Sequence, residues 1–246
     1  MAEKRYDFIV IGSGIGGLSI AALLANKEKS ICIIEGNKFI GGYSSTINIK
    51  GYSLTHGVKY LFGCGHHSPN DRFLKELKLD KKIKFNSFSK TCYDLIHIPG
   101  KDVRIPFGVS RYRNRLIKLY PEYKEGLTKY FDIFERIFRE LRLYKCLPDK
   151  KYILHHPLKH RTLFKYEKTT VQEFFDLFNF PMDLQTILAG QIGNLALPPK
   201  EASLLAHAGM VIFYCNGAHF PAKGMEHFND ELLKVEIGRA SCRERV

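Results

Sequence analysis

The stretch that most restricts what this chain can fold into is the turn Gly12-Ser13-Gly14-Ile15-Gly16-Gly17, set between the apolar run Phe8-Ile9-Val10-Ile11 and the segment Leu18 to Ala25. The run in front reads as a buried strand and the segment behind as the helix that leaves it, so the glycines fall on a strand-to-helix turn. Gly12 permits the tight turn, Gly14 leaves no Cβ between the backbone and a pyrophosphate, and Gly17 lets the helix lie close to the strands. The N–H groups of this loop point at an anion, helped by the partial positive charge of the helix N-terminus. Ser30 to Ile34 reads as a second, parallel strand with Glu35 at its C-terminal end. A carboxylate there accepts hydrogen bonds from ribose hydroxyls and repels a 2′-phosphate, which argues against an NADP site.

The residues after Glu35 separate the dinucleotides. A nicotinamide-binding domain continues with another strand and helix, whereas here Gly36-Asn37-Lys38-Phe39-Ile40 leads into Gly41-Gly42-Tyr43-Ser44-Ser45-Thr46. A second glycine pair beside the pyrophosphate suggests FAD. On these motifs residues 5 to 63 resemble the N-terminus of the FAD-dependent amine-oxidase-like superfamily, and within it the carotenoid (phytoene) desaturase, carotene isomerase and retinol saturase branch. The resemblance implies ADP on Gly12 to Gly17 and ribose on Glu35, with Gly36 next to it. It puts pyrophosphate and flavin edge near Gly41, Gly42, Tyr43 and Ser44, with Gly57 and Val58 close by. Two residues depart from the branch pattern. Tyr43 stands where many superfamily members carry Arg, and Lys59 stands in Leu54-Thr55-His56-Gly57-Val58-Lys59-Tyr60 where the branch often has His, a change that bears on substrate more than on flavin binding. His56 and Lys59 fall near the expected flavin by motif order, but neither is singled out as the proton donor or acceptor, and the catalytic residues stay unassigned.

The expected fold class is α/β: a Rossmann-like FAD-binding βαβ half with a parallel sheet over residues 1–65, and an α+β substrate or cap region over 66–235. That region holds strands within 83–105, including a hairpin about Pro99-Gly100-Lys101, then helices within 110–210. It returns toward the FAD half near 216–235. Thr170-Val171-Gln172-Glu173 is a capping box. Asn216 to Met225 is similar to a Phe/Tyr-Pro-x-Gly-Gly-Met loop of the desaturase branch, with Lys223 in place of the first glycine. Residues 236–246 resemble sequencing-adapter DNA read through in frame, so the natural sequence is expected to leave off near Val235. Family members are about twice as long, their last part supplying a second FAD-binding segment, and this chain is expected to be truncated and inactive.

Composition narrows the function further. With 45% hydrophobic and 26% charged residues the chain is globular, and Leu204 to Cys215, interrupted by His207 and Gly209, is too short for a bilayer span. No signal peptide precedes the first strand, and the scattered cysteines Cys32, Cys64, Cys92, Cys146 and Cys215 show no CxxC spacing, so a cytoplasmic, reduced setting is expected. No metal is expected, because adjacent residues such as His66-His67 or His155-His156, with His160, seldom face one ion. The net charge of +13 concentrates in 110–168. There Arg111, Arg113, Arg115 and Lys118 precede Tyr130, Phe131, Phe134, Ile137, Phe138 and Leu141 at helical spacing. That helix either turns its stripe to the core or docks on an anionic membrane surface, possibilities the spacing leaves open. Nucleic acid is not an expected partner, since no recognition motif accompanies the charge. The reading is an FAD-dependent oxidoreductase acting on an apolar polyene or lipid. Its alternatives are an amine or protoporphyrinogen oxidase-like flavoenzyme and a non-catalytic membrane-surface-binding fragment.

Overall fold

A computed structural model of the chain describes residues 5–142, 157–237 and 242–245. It divides into two units, residues 1–87 with 218–246, and residues 88–217. The first begins as expected, with β1 (Phe8–Ile11), α1 (Ile15–Asn26) and β2 (Ile31–Glu35). The two strands are parallel, with Phe8 opposite Ile31 and Ile11 opposite Ile34. Asp7 joins their starts, its carboxylate accepting from the Ser30 N–H and hydroxyl at 2.9 Å each. A hairpin that the glycine motifs do not announce comes next, β3 (Thr46–Ile49) and β4 (Tyr52–Thr55), closed by Lys50 and Gly51 at positive φ.

Helix α2 (Pro69–Glu76) starts with Ser68 as its cap, the hydroxyl accepting from the Asp71 N–H at 3.3 Å. Its Leu74, and Leu77, Leu79 and Ile83 beyond it, share one core with Leu18, Ala21, Ala22 and Ala25 of α1 and Ile31 and Ile33 of β2. That shared core keeps residues 66–87, including β5 (Phe85–Ser87), in the first unit. The division falls after Ser87, later than the boundary near residue 65 expected from the motifs.

The second unit opens with an antiparallel hairpin, β6 (Asp94–Ile98) and β7 (Lys101–Ile105), turning at Pro99-Gly100 where the sequence places it. Six helices come after it among the described residues: α3 (Val109–Leu119), α4 (Lys124–Arg142), α5 (Arg161–Tyr166), α6 (Val171–Asp176), α7 (Met182–Leu188) and α8 (Leu204–Cys215). The capping box is present, with the Thr170 N–H donating to Glu173 Oε2 at 2.8 Å and the Glu173 N–H to Thr170 Oγ1 at 3.2 Å. Cys146, His155 and His156 lie outside the described residues.

The stripe on α4 resolves the choice left by its spacing. Tyr130, Phe131, Phe134 and Ile137 are fully buried. The Tyr130 ring lies 4.1 Å from Phe134 and 5.7 Å from Phe174 of α6, and Phe134 meets His207 of α8 edge-on at 5.6 Å. These rings are therefore core and are not available to a membrane, each contributing roughly 1.5–3 kcal/mol by burial. Part of the basic face is also engaged. Arg115 donates to the carbonyls of Thr91 and Arg104 at 3.1 and 2.7 Å, and Arg113 pairs with Asp132 at 3.1 Å.

The chain then returns to the first unit. β8 (His219–Pro221) pairs antiparallel with β5, and α9 (Gly224–Ile237) buries Met225, Phe228 and Leu232 in the core that α1 lines. β9 (Cys242–Arg245), inside the segment that resembles adapter read-through, runs parallel to β2 with Cys32 opposite Cys242. The open edge of β2 accepts it through backbone groups, which any sequence carries.

One expectation fails at β1. Its run reads as a buried strand, yet Ile9 is 63% and Ile11 85% exposed. Sheet order is β1-β2-β9, so among the described residues β1 is an edge, paired on one side only. Val10 alone of the four packs against the core.

Candidate nucleotide site

The glycine-rich turn is built by a short chain of backbone bonds. The Gly12 N–H donates to Ile34 O at 2.8 Å, closing the turn against β2, and the Gly41 N–H donates to Ser13 O at 2.7 Å, drawing the second glycine pair beside the first. Gly17 faces Gly12 so closely that a Cβ there would stand 2.1 Å from the Gly12 carbonyl oxygen. Around Gly14 and Gly16 the space is open, with nothing within 4 Å of a Cβ built on either. Gly14 caps α1 without a side chain, and no acidic residue sits in the helix's first turn. The leading N–H groups of a helix lack intrahelical acceptors, so an uncapped, uncharged, open N-terminus of this kind suits a phosphate.

Glu35 closes the far side. It is 6% exposed, and its Oε2 accepts from the Ser13 hydroxyl at 2.5 Å and the Ser13 N–H at 2.7 Å, while Oε1 accepts from the Asn37 N–H at 2.7 Å. The Ser13 hydroxyl, then the Asn37 and Ser13 N–H groups, hold the carboxyl at a pKa of about 2 against the opposing effect of burial. The group is an anion at neutral pH, already bonded to a hydroxyl. A ribose diol offers the same donor chemistry, so the carboxylate fits a sugar and opposes a 2′-phosphate.

The second glycine pair takes a 3-10 turn, Gly42 to Ser44. Gly41 lies at φ 102°, and a Cβ on it would meet Asn229 Nδ2 at 2.3 Å. Ser44 is turned inward, its hydroxyl donating to Gly41 O at 2.7 Å and to Asn229 Oδ1 at 3.0 Å, and Asn229 Nδ2 returns a bond to Ser44 O at 3.1 Å. Ser44 thus shapes the loop from behind. Gly42 and Tyr43 stand on the open side, Tyr43 84% exposed, and the Gly57 N–H donates to Tyr43 O at 2.8 Å. Val58 packs against the core, Gly36 lies exposed after Glu35, Ile15 is partly exposed at the head of α1, and His56 and Lys59 are exposed.

A family model described as an NAD(P)-binding Rossmann-like domain matches residues 10–77. The chain is 26% identical over 239 residues to the all-trans-retinol 13,14-reductase of Danio rerio, covering 93% of this chain and 39% of that protein. It is 31% identical over 141 residues to the chloroplastic prolycopene isomerase of Arabidopsis thaliana, covering 56% of this chain and 23% of that one. The cyclohexylamine oxidase of Brevibacterium oxydans shares its fold, with a TM-score of 0.62 over 98% of this chain and 51% of that structure, at 18% identity. These similarities support the resemblance to the carotenoid and retinol branch of the FAD-dependent amine-oxidase-like superfamily. The chain spans about two-fifths of the retinol reductase it matches, 39%.

The turn thus lies in a segment similar to a nucleotide-cofactor-binding Rossmann-like domain. The glycine motifs do not reveal Asn229, which ties the second glycine pair to α9. A signal is present all the same: Asn229 sits four residues after Met225 and three before Leu232, a polar side chain on the apolar stripe of that helix. It is 1% exposed, so its bonds to Ser44 are obligatory. No described helix is long and apolar enough to cross a membrane.

Proposed function

We propose that this chain supplies the ADP-binding half of an FAD-dependent oxidoreductase acting on an apolar polyene or related lipid, in the manner suggested by the names of its retinol reductase and prolycopene isomerase relatives. The observation that carries the reading is the ionised, hydroxyl-bonded Glu35 facing an open helix N-terminus. In this reading the N–H groups at Ile15, Gly16 and Gly17 hold the pyrophosphate, while Gly14 lets it approach. Glu35 exchanges the Ser13 hydroxyl for ribose hydroxyls. Gly41, Gly42 and Tyr43, with Gly57 behind them, border the middle of the dinucleotide. FAD, when bound, supplies hydride acceptance or donation at its N5, so side chains are left to orient the substrate and exclude water. The amine-oxidase alternative rests on fold likeness at 18% identity.

The ADP half-site is testable on this chain by calorimetry with ADP and with its 2′-phosphorylated analogue. ADP binds, the 2′-phosphate weakens binding, and Glu35→Arg reverses that order. Equal affinity for the two nucleotides, or a Glu35→Arg chain that binds ADP unchanged, removes the assignment.

In this reading, peripheral membrane contact on the cytoplasmic side falls to the basic groove of the second unit. Lys90, Arg104, Arg111 and Lys118 line a concavity of about 540 Å³ beside the exposed Leu119. Flotation with anionic but not neutral vesicles, weakened by Arg111→Glu with Lys118→Glu, supports that contact. Flotation unaffected by the pair assigns it elsewhere.

A further inference from the structure

The loop joining β4 to α2 and the first turn of α2 gather three metal-ligand side chains that neither the nucleotide site nor any similarity assigns. His66, His67 and Asp71 each offer one ligand atom, and all three atoms lie within 4.8 Å of one another. Adjacent histidines seldom turn to one point, but these two rings come together, for a local reason. His67 adopts a left-handed backbone, φ 60°, so its ring does not swing to the side opposite His66 as in extended chain. The two rings instead meet edge to face with centroids 4.0 Å apart. Asp71 is brought under them by the helix start: the His67 N–H donates to its Oδ2 at 2.7 Å, and Ser68 caps its N–H.

We infer that His66, His67 and Asp71 form a binding site for one borderline divalent transition ion, zinc fitting best, with water in the fourth position. Two imidazoles and a carboxylate suit zinc, copper or nickel rather than calcium or magnesium, which want oxygen ligands. Zinc bonds of about 2.0–2.2 Å place ligand atoms about 3.3 Å apart, so the present separation closes by rotation of two exposed rings. Cys64, two residues before His66, does not join. It is turned to other partners, its Sγ donating to Phe62 O at 3.5 Å and accepting from Asn70 Nδ2 at 3.4 Å. One competitor is built in. Lys75, one turn along α2, holds Asp71 Oδ2 at 2.8 Å. The metal must share or displace that ammonium, which sets the affinity lower than the ligand set alone would give.

The test is titration of the tag-free chain with zinc chloride in a non-coordinating buffer, followed by calorimetry, with circular dichroism confirming that each variant keeps its helices. One saturable ion per chain is expected, weakened about tenfold or more by His66→Ala or His67→Ala and lost in the double variant. Lys75→Ala frees the carboxylate and tightens binding. No saturable uptake by the parent chain, or uptake that survives the double histidine variant, overturns the site. Unchanged or weaker binding by Lys75→Ala overturns Asp71 as the third ligand. None of these readouts depends on nucleotide, so the ADP half-site can fail while this one stands.

Discussion

At the scale of single residues, the nucleotide turn tolerates little. A methyl group at Gly17 has a carbonyl oxygen 2.1 Å away, and that oxygen belongs to the backbone of the same turn, so it cannot step aside as a side chain would. Gly17→Ala should cost about 2 kcal/mol or more and abolish ADP binding, both visible in thermal unfolding with and without nucleotide. Unchanged melting would mean that the turn is looser than its geometry. Asn229→Ala leaves the Ser44 carbonyl short of a partner in a buried place while the Ser44 hydroxyl keeps Gly41 O, a loss of about 1–3 kcal/mol, and should lower ADP affinity through the slackened glycine pair. The roles of Gly17 and Glu35 are legible in the sequence because each rests on a local motif whose spacing is fixed by one turn and two strands. That of Asn229 is not, because its partner lies 185 residues away and nothing local marks a polar side chain as a tie to a distant loop. Ser13 reads as loop backbone, and its hydroxyl bond to Glu35 becomes visible only with both side chains in place.

At the scale of elements, α4 and α8 carry the core of the second unit and bury a titratable group in it. His207 is fully enclosed beside Phe134, with the Tyr130 hydroxyl 3.4 Å from its Nε2, and burial lowers its pKa to about 4. The folded histidine stays neutral while an unfolded one, near 6.5, takes up a proton. Between those values the unfolded chain binds more protons, so stability is complete above pH 6.5 and falls as the pH drops toward 4, by about 3 kcal/mol in all. His207→Phe should flatten that limb of the profile, measured as denaturation midpoint against pH by tyrosine fluorescence. An equally steep profile in the variant would assign the acid sensitivity to other groups. The period of the α4 stripe announces an amphipathic helix, yet periodicity cannot tell a protein core from a lipid surface, since both accept the same apolar face. Only the partner rings of α6 and α8 decide it. The β3–β4 hairpin is written in the sequence as strict polar–apolar alternation, Thr46-Ile47-Asn48-Ile49 and Tyr52-Ser53-Leu54-Thr55 about Lys50-Gly51, a period-2 signal that the neighbouring glycine motifs overshadow.

At the scale of the whole molecule, β1 shows how far a sequence pattern can outrun the chain that carries it. Four apolar residues in a row are what a strand covered on both faces requires. Among the described residues one flank of β1 is bare, with Ile9 and Ile11 turned to solvent. An exposed apolar edge strand invites self-pairing. Concentration-dependent association in analytical ultracentrifugation is therefore expected, reduced by Ile9→Thr with Ile11→Lys. A chain that stays monomeric at high concentration without these changes would show the edge to be protected by other means.

The Asn229 tie also sets a timetable for synthesis. Residues 12–57 leave the ribosome early, but the glycine pair acquires its clamp only once the helix bearing Asn229 has emerged, after the entire second unit. A nascent chain therefore presents a half-set phosphate loop until residues 88–217 have been made, and firm coenzyme capture waits for Asn229 to arrive.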